Sequence, residues 1–174
     1  MTHGGDGDHG ARSEITLLVV GLDDSRARSL EAKHIEEMTR LYGGRGPGPL
    51  TVEGFVSPDG CFVVALLDGV PVGCGGFHRL APDVAEIKRM FVDGPVRSRG
   101  LARRILHFLE QRAGEAGYTE TWLETGSAQP EAIALYTSSG YQPMAPYGEF
   151  KGDERCRCFR RPLGDDGSST GASR

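Results

Sequence analysis

The apolar positions of this chain change rhythm several times, and each change marks an element. Residues 15–20 form a continuous apolar run of strand character, and residues 61–67 a second, stronger one. Asp68-Gly69 is a hairpin signal into residues 70–80, and Ala81-Pro82-Asp83 turns again into residues 84–92. These pieces predict an antiparallel meander of about three strands. In it Gly73, Gly75 and Gly76 permit close approach of backbone or ligand. Between the first two runs the spacing becomes helical: Ala27, Leu30, His34, Met38 and Leu41 recur on one face. Asp23-Asp24-Ser25 offers a cap and Gly43-Gly44 a stop. His34 on that stripe reads as a partly buried histidine with its hydrogen bonds satisfied.

The second half alternates differently. Leu101, Ile105, Phe108, Leu109 and Ala113 predict the buried face of a helix over residues 101–116, ended by Gly117. Residues 119–125 then read as a strand. It must lie beside residues 84–92 after a helical crossover, which makes that pair parallel. Pro130 suits the first position of a short helix ending near Gly140, and residues 141–144 and 155–161 read as two closing strands. The expectation is one mixed α/β domain over residues 14–163, a largely antiparallel central sheet with one parallel βαβ pair, flanked by helices. Residues 1–13 and 164–174 read as disordered tails.

Charge changes this picture more than composition does. Across its 174 residues the chain carries a net charge of −4, which argues against a general nucleic-acid binder. Residues 88–104 alone hold +5, through Lys88, Arg89, Arg97, Arg99, Arg103 and Arg104 against Asp93. One basic segment in an acidic protein points to a small polyanion. That segment contains a strand that turns through Arg97-Ser98-Arg99-Gly100 into a helix beginning Leu101-Ala102. A helix start with free N–H groups behind a glycine-containing loop binds anions, phosphates above all. The Gly/Pro loop at 45–50 lacks the Lys-Ser/Thr ending of a nucleotide-binding P-loop. Cys61, Cys74, Cys156 and Cys158 show no CxxC pair or disulfide framework, so reduced thiols and no metal are expected. No targeting segment or membrane span is visible, and a cytoplasmic location is the reading that follows.

Three segments carry a family resemblance. Arg97, Gly100 and Ala102 fill the fixed positions of a Gln/Arg-x-x-Gly-x-Gly/Ala pattern. Ala132-Ile133-Ala134-Leu135-Tyr136, followed by Gly140-Tyr141, is similar to an Ala-x-x-Leu-Tyr-x-x-x-Gly-Phe/Tyr segment. Glu86-Ile87-Lys88-Arg89-Met90-Phe91-Val92 resembles a central strand. All three resemble the Gcn5-related N-acetyltransferase (GNAT) superfamily, and the resemblance spans roughly residues 14–163.

The resemblance implies acetyl-CoA as cosubstrate. The pyrophosphate would lie on the N–H groups of Ser98, Arg99, Gly100, Leu101 and Ala102, with Arg99, Arg103 and Arg104 neutralising phosphate charge. The main chain of Met90, Phe91 and Val92 would lend hydrogen bonds to the pantetheine arm, as to an added strand. Gln129 stands where many family members have an asparagine that contacts coenzyme A. For catalysis the resemblance points to Glu86 as the base acting on the amine, through water, and to Tyr136 as the proton donor to the leaving thiolate. The plainer alternatives stay open: Glu86 paired with Lys88 or with a substrate ammonium, Tyr136 as a packed aromatic.

The implied reaction is acetyl transfer to a primary amine of a small molecule or peptide, by direct attack. The residues at 42–50 and 146–150, with His78 and Arg89, fall on the acceptor side. A non-catalytic acyl-CoA-binding module of the same fold, or a plain phosphate binder, is the rival. No nucleic-acid or membrane partner is expected, and the reading leaves room for a homodimer.

Overall fold

The computed structural model describes residues 13–44, 47–48 and 50–164, so the two expected tails lie almost wholly outside the described residues. The chain runs β1 (Ile15–Val20), α1 (Ser25–Tyr42), β2 (Cys61–Leu67), β3 (Val70–Ala81), β4 (Val84–Val92), α2 (Leu101–Glu115), β5 (Glu120–Gly126), α3 (Pro130–Ser138), β6 (Gln142–Met144) and β7 (Cys156–Pro162). The strands form one seven-stranded sheet in the order β1-β2-β3-β4-β5-β7-β6. β4 and β5 are parallel; every other neighbouring pair is antiparallel. This is the mixed fold expected, with β1 joining the meander as a fourth strand.

Local chemistry sets the element ends. Asp24 caps α1, its Oδ1 accepting from Arg26 N at 2.9 Å, and Gly43 closes the helix in the left-handed region at φ 65°. Asp68 and Gly69 both take positive φ, the backbone that a two-residue hairpin needs to match strand twist. α2 and α3 cover one sheet face around Val63, Ile87, Ile105, Leu109, Leu123 and Phe159. α1 and the 3-10 turn Val52–Phe55 cover the other around Leu30, Phe55, Phe62, Val64 and Phe91.

Three expectations change here. Leu41 is 45% exposed, because the apolar stripe of α1 has rotated off the sheet by its last turn. Leu106 and Glu110 are buried on α2 while Phe108 is only half-buried. The close approach at the β3 glycines is made by the protein itself. Gly73 and Gly75 lie under Ile105 of α2, and a Cβ on Gly76 would lie 2.7 Å from Phe62 Cδ2 and 2.8 Å from Phe55 Cδ1. Gly76→Ala should therefore destabilise the fold by about 1–3 kcal/mol through overpacking. Chemical denaturation checks this; an unchanged midpoint would contradict it.

One irregularity positions the site. Between β3 and β4 the register runs Cys74↔Phe91 and then Gly76↔Lys88, so Arg89 and Met90 together oppose Gly75. This is a β-bulge, and Arg89 takes φ 57° within it. A bulge bends the strand that carries it. β4 accordingly pairs with β5 only from Val84↔Glu120 to Ile87↔Leu123. Beyond those pairs β4 stays with β3 and β5 with β7, and a V opens in the middle of the sheet.

Candidate active site

The V has three sides: the unpaired ends of β4 and β5, and the turn that enters α2. On the β4 side Phe91 packs on the α1 face, while Val92 and Met90 pack toward α2. Their side chains are thus committed, and the main chain is what this edge offers a ligand. Asp93 N donates to Val72 O at 2.8 Å, which by strand alternation turns the main-chain groups of Val92 toward the V.

At the open end Ser98 and Gly100 take φ 68° and 75°, and no side chain caps α2. The first N–H groups of this 15-residue helix, at Leu101, Ala102 and Arg103, are left to an outside acceptor. Arg99 and Arg104 are exposed beside them. Two sequence-selected arginines are engaged elsewhere. Arg97 donates from Nε to Val92 O at 2.8 Å and from its terminal nitrogen to both Glu37 oxygens, at 2.8 and 2.6 Å. Its guanidinium braces α1 against the end of β4. Arg103 reaches Ser138 Oγ at 2.7 Å and Ser139 Oγ at 2.9 Å, tying α2 to the end of α3.

On the α1 side of the sheet, Glu86 is 4% exposed and surrounded by donors. His78 Nε2 lies 2.7 Å from Oε2; Tyr147 Oη at 2.9 Å and Lys88 Nζ at 3.1 Å approach Oε1. Burial pushes its pKa up, but the His78 hydrogen bond and the Lys88 charge outweigh this, and the carboxyl sits below its usual range. The pairing with Lys88 that the sequence left open is therefore present, within a larger cluster. Trp122, opposite Glu86 in register, stacks edge-on to Tyr147 at 5.2 Å.

Glu124, unmarked in the sequence, is the first β5 residue past the last β4 pair. Alternation puts it on the same face as Trp122 and Glu86. Burial raises its pKa, against a hydrogen bond from Cys156 and the charge of Lys88; nearby Glu86 and Asp153 raise it further. The Cys156 thiol is itself pushed up to about 12 by burial and by Glu124, so it stays protonated. The sequence carried a partial signal for Glu124, its alternation with Trp122, but the parallel register that puts it at the V is not a local property.

Tyr136 sits on the opposite, α3 side. It is buried, with Tyr141 at 5.7 Å and Phe159 at 6.2 Å between ring centroids. Burial raises its phenol pKa well above 10, and the Glu124 charge raises it further.

Both candidate acceptor segments bear on this site. Tyr147 holds Glu86, while Tyr42 Oη accepts from Gln129 Nε2 at 3.3 Å. Residues 45, 46 and 49 of the first segment lie outside the described residues. Arg89 lies 3.4 Å from Glu31 and donates to Gly48 O. His34 lacks the partner expected for it: among the described residues its Nδ1 is buried with no hydrogen bond, and burial lowers its pKa to about 4, so it is neutral. Among the described residues no group of three or more His, Cys, Asp or Glu is placed to hold a metal, and no helix is long and apolar enough to cross a membrane.

Comparison with known proteins agrees with this geometry. The family model described as acetyltransferase (GNAT) family matches residues 23–141. An IAA acetyltransferase of Azospirillum brasilense is 35% identical over 137 residues, covering 74% of this chain and 88% of the relative. An uncharacterized N-acetyltransferase of Bacillus subtilis, YsnE, is 31% identical over 138 residues, covering 75% and 91%. Among solved structures, a putative acyl-CoA N-acyltransferase from Klebsiella pneumoniae superposes with a TM-score of 0.73 at 25% identity, over 86% of this chain and 98% of that one. The PaiA N-acetyltransferase of Thermoplasma acidophilum, solved with coenzyme A, shares the fold, with a TM-score of 0.63 at 13% identity over 86% and 99%.

Proposed function

The chain belongs to the acetyltransferase (GNAT) family and is an acyltransferase; from that premise we propose that it transfers acetyl from acetyl-CoA to a primary amine of a small molecule or peptide, by direct attack. The observation that carries this reading is the V between β4 and β5, opening beside an uncapped helix N-terminus in a basic loop. An extended ligand with amides along its arm and a pyrophosphate at one end fits that pairing of surfaces. The main chain of Val92 and Met90 takes the amides, that of Phe91 facing β3 in its pair with Cys74, and the N–H groups of Ser98, Arg99, Gly100, Leu101 and Ala102 take the phosphates. Arg99 and Arg104 add charge there. Acetyl-CoA supplies an activated thioester, and no acyl-enzyme is required.

The proton bookkeeping assigns the roles. An alkyl ammonium with a pKa of about 10 is mostly protonated at neutral pH and must lose a proton to attack. Glu86, the base that the resemblance suggested, is stabilised as an anion by three donors, which leaves it a weak base. In this reading it is a positioning residue that holds His78, Lys88 and Tyr147. Glu124 has the raised pKa and the place at the V that a base needs, and it takes the proton directly or through one water. Tyr136 keeps its own proton and so donates a hydrogen bond to the departing sulfur from the other face.

Release of free thiol from acetyl-CoA tests the assignment across amino acids, polyamines, aminoglycosides and peptide N-termini. Turnover with at least one class is expected. Coenzyme A binding without turnover across the whole panel would favour the non-catalytic binding module instead.

A further inference from the structure

Gln129 caps α3 without a side-chain cap bond, and its amide turns elsewhere. Among the described residues its side chain makes one hydrogen bond, to Tyr42 Oη at 3.3 Å. Tyr42 is the last residue of α1, a helix otherwise fastened to the β4 side of the V. Lys33 Nζ meets Asp93 Oδ2 at 2.5 Å, and Glu37 meets Arg97 at 2.6 Å. The Tyr42 phenol then crosses to the β5 side and lies directly on Gly126, where a Cβ would fall 1.6 Å from Oη. Gly126 is thus a socket for this phenol, and α1 spans the open end of the V from lip to lip.

We propose that Tyr42 is a positioning residue of the acyl-donor channel, acting through Gln129. The inference rests on the donor reading given above. A glutamine has one more rotatable bond than an asparagine and loses more freedom when fixed on a ligand. The Tyr42 hydroxyl takes one N–H of the Gln129 amide and fixes its plane. The carbonyl oxygen and the second N–H remain for the amide groups of the donor's arm. Because the phenol belongs to α1, the placement of that amide is set by the same helix that Arg97 and Asp93 lock to the opposite lip.

The test is a double-mutant cycle read by calorimetric titration with coenzyme A and by steady-state kinetics. Tyr42→Phe removes only the hydroxyl and should weaken coenzyme A binding about three- to tenfold, the range of one neutral hydrogen bond. The kinetic effect should fall on KM for acetyl-CoA rather than on kcat. Gln129→Ala should weaken binding at least as much, and Tyr42→Phe in that background should add nothing. A Tyr42→Phe variant with unchanged affinity, or effects that add fully, would overturn the proposal even if thermal stability moved. Absence of coenzyme A binding by the unmodified protein would overturn the donor reading itself, and shows before any variant is made.

Discussion

Glu124→Gln should lower kcat by about 10²–10⁴-fold, the contribution of a positioned general base. The change is nearly isosteric, so the hydrogen bond with the Cys156 thiol has an acceptor in either form. The sign of the pH dependence follows from the direction of the shift. A carboxyl with a raised pKa is still partly protonated, and inactive as a base, at pH values where an ordinary glutamate near 4.5 is ionised. Activity of the unmodified enzyme should therefore climb with pH through a limb above that value, and then climb again as the amine approaches its own pKa of about 10. Glu124→Gln should lose the lower limb, keep the upper one, and recover part of its rate at high pH. Glu86→Gln is the control: its own carboxyl is held low by His78 and Lys88, so the lower limb should persist, moved to lower pH because the Glu86 charge no longer raises Glu124. A limb that vanished in Glu86→Gln and survived in Glu124→Gln would return the base to β4.

Tyr136→Phe should lower kcat by about 10- to 100-fold, with little change in KM for either substrate. A hydrogen bond to a charged group contributes about 1.5–3 kcal/mol, and the developing thiolate is such a group. The phenyl ring keeps its packing on Tyr141 and Phe159, so stability should hold. The raised pKa matters to the mechanism. A phenol that holds its proton throughout the working pH range acts as a donor at every pH, so this variant should show the same pH profile as the unmodified enzyme at a reduced amplitude. A single-turnover rate for Tyr136→Phe equal to that of the unmodified enzyme would remove Tyr136 from the chemistry.

The legible part of this protein is what short-range pattern encodes. The hairpin at Asp68-Gly69, the capped α1, the crossover from β4 through α2 to β5, and the uncapped helix start at Gly100 all follow from neighbouring residues. The illegible part depends on register and on contacts across the chain. Glu124 stands at the V because the β4–β5 pairing stops at Ile87 and Leu123, one residue before it. That stop traces to a bulge at Arg89-Met90, and nothing in an arginine's local propensity announces a positive φ. Arg97 fills a fixed position of the family pattern, which says nothing of where its side chain goes. Its guanidinium is claimed by Glu37, sixty residues earlier. Tyr42 lay in a loop segment with no motif, and its partner Gly126 gave no signal beyond being a glycine.

A calorimetric titration with coenzyme A and, in parallel, with ATP tests the V and its basic end most directly. Both ligands carry an adenine nucleotide and several phosphates; only coenzyme A carries the amide-bearing arm that the β4 edge would hold. Saturable one-to-one binding of coenzyme A and markedly weaker binding of ATP are expected. Equal or tighter binding of ATP would reduce the site to a phosphate cradle and contradict the account.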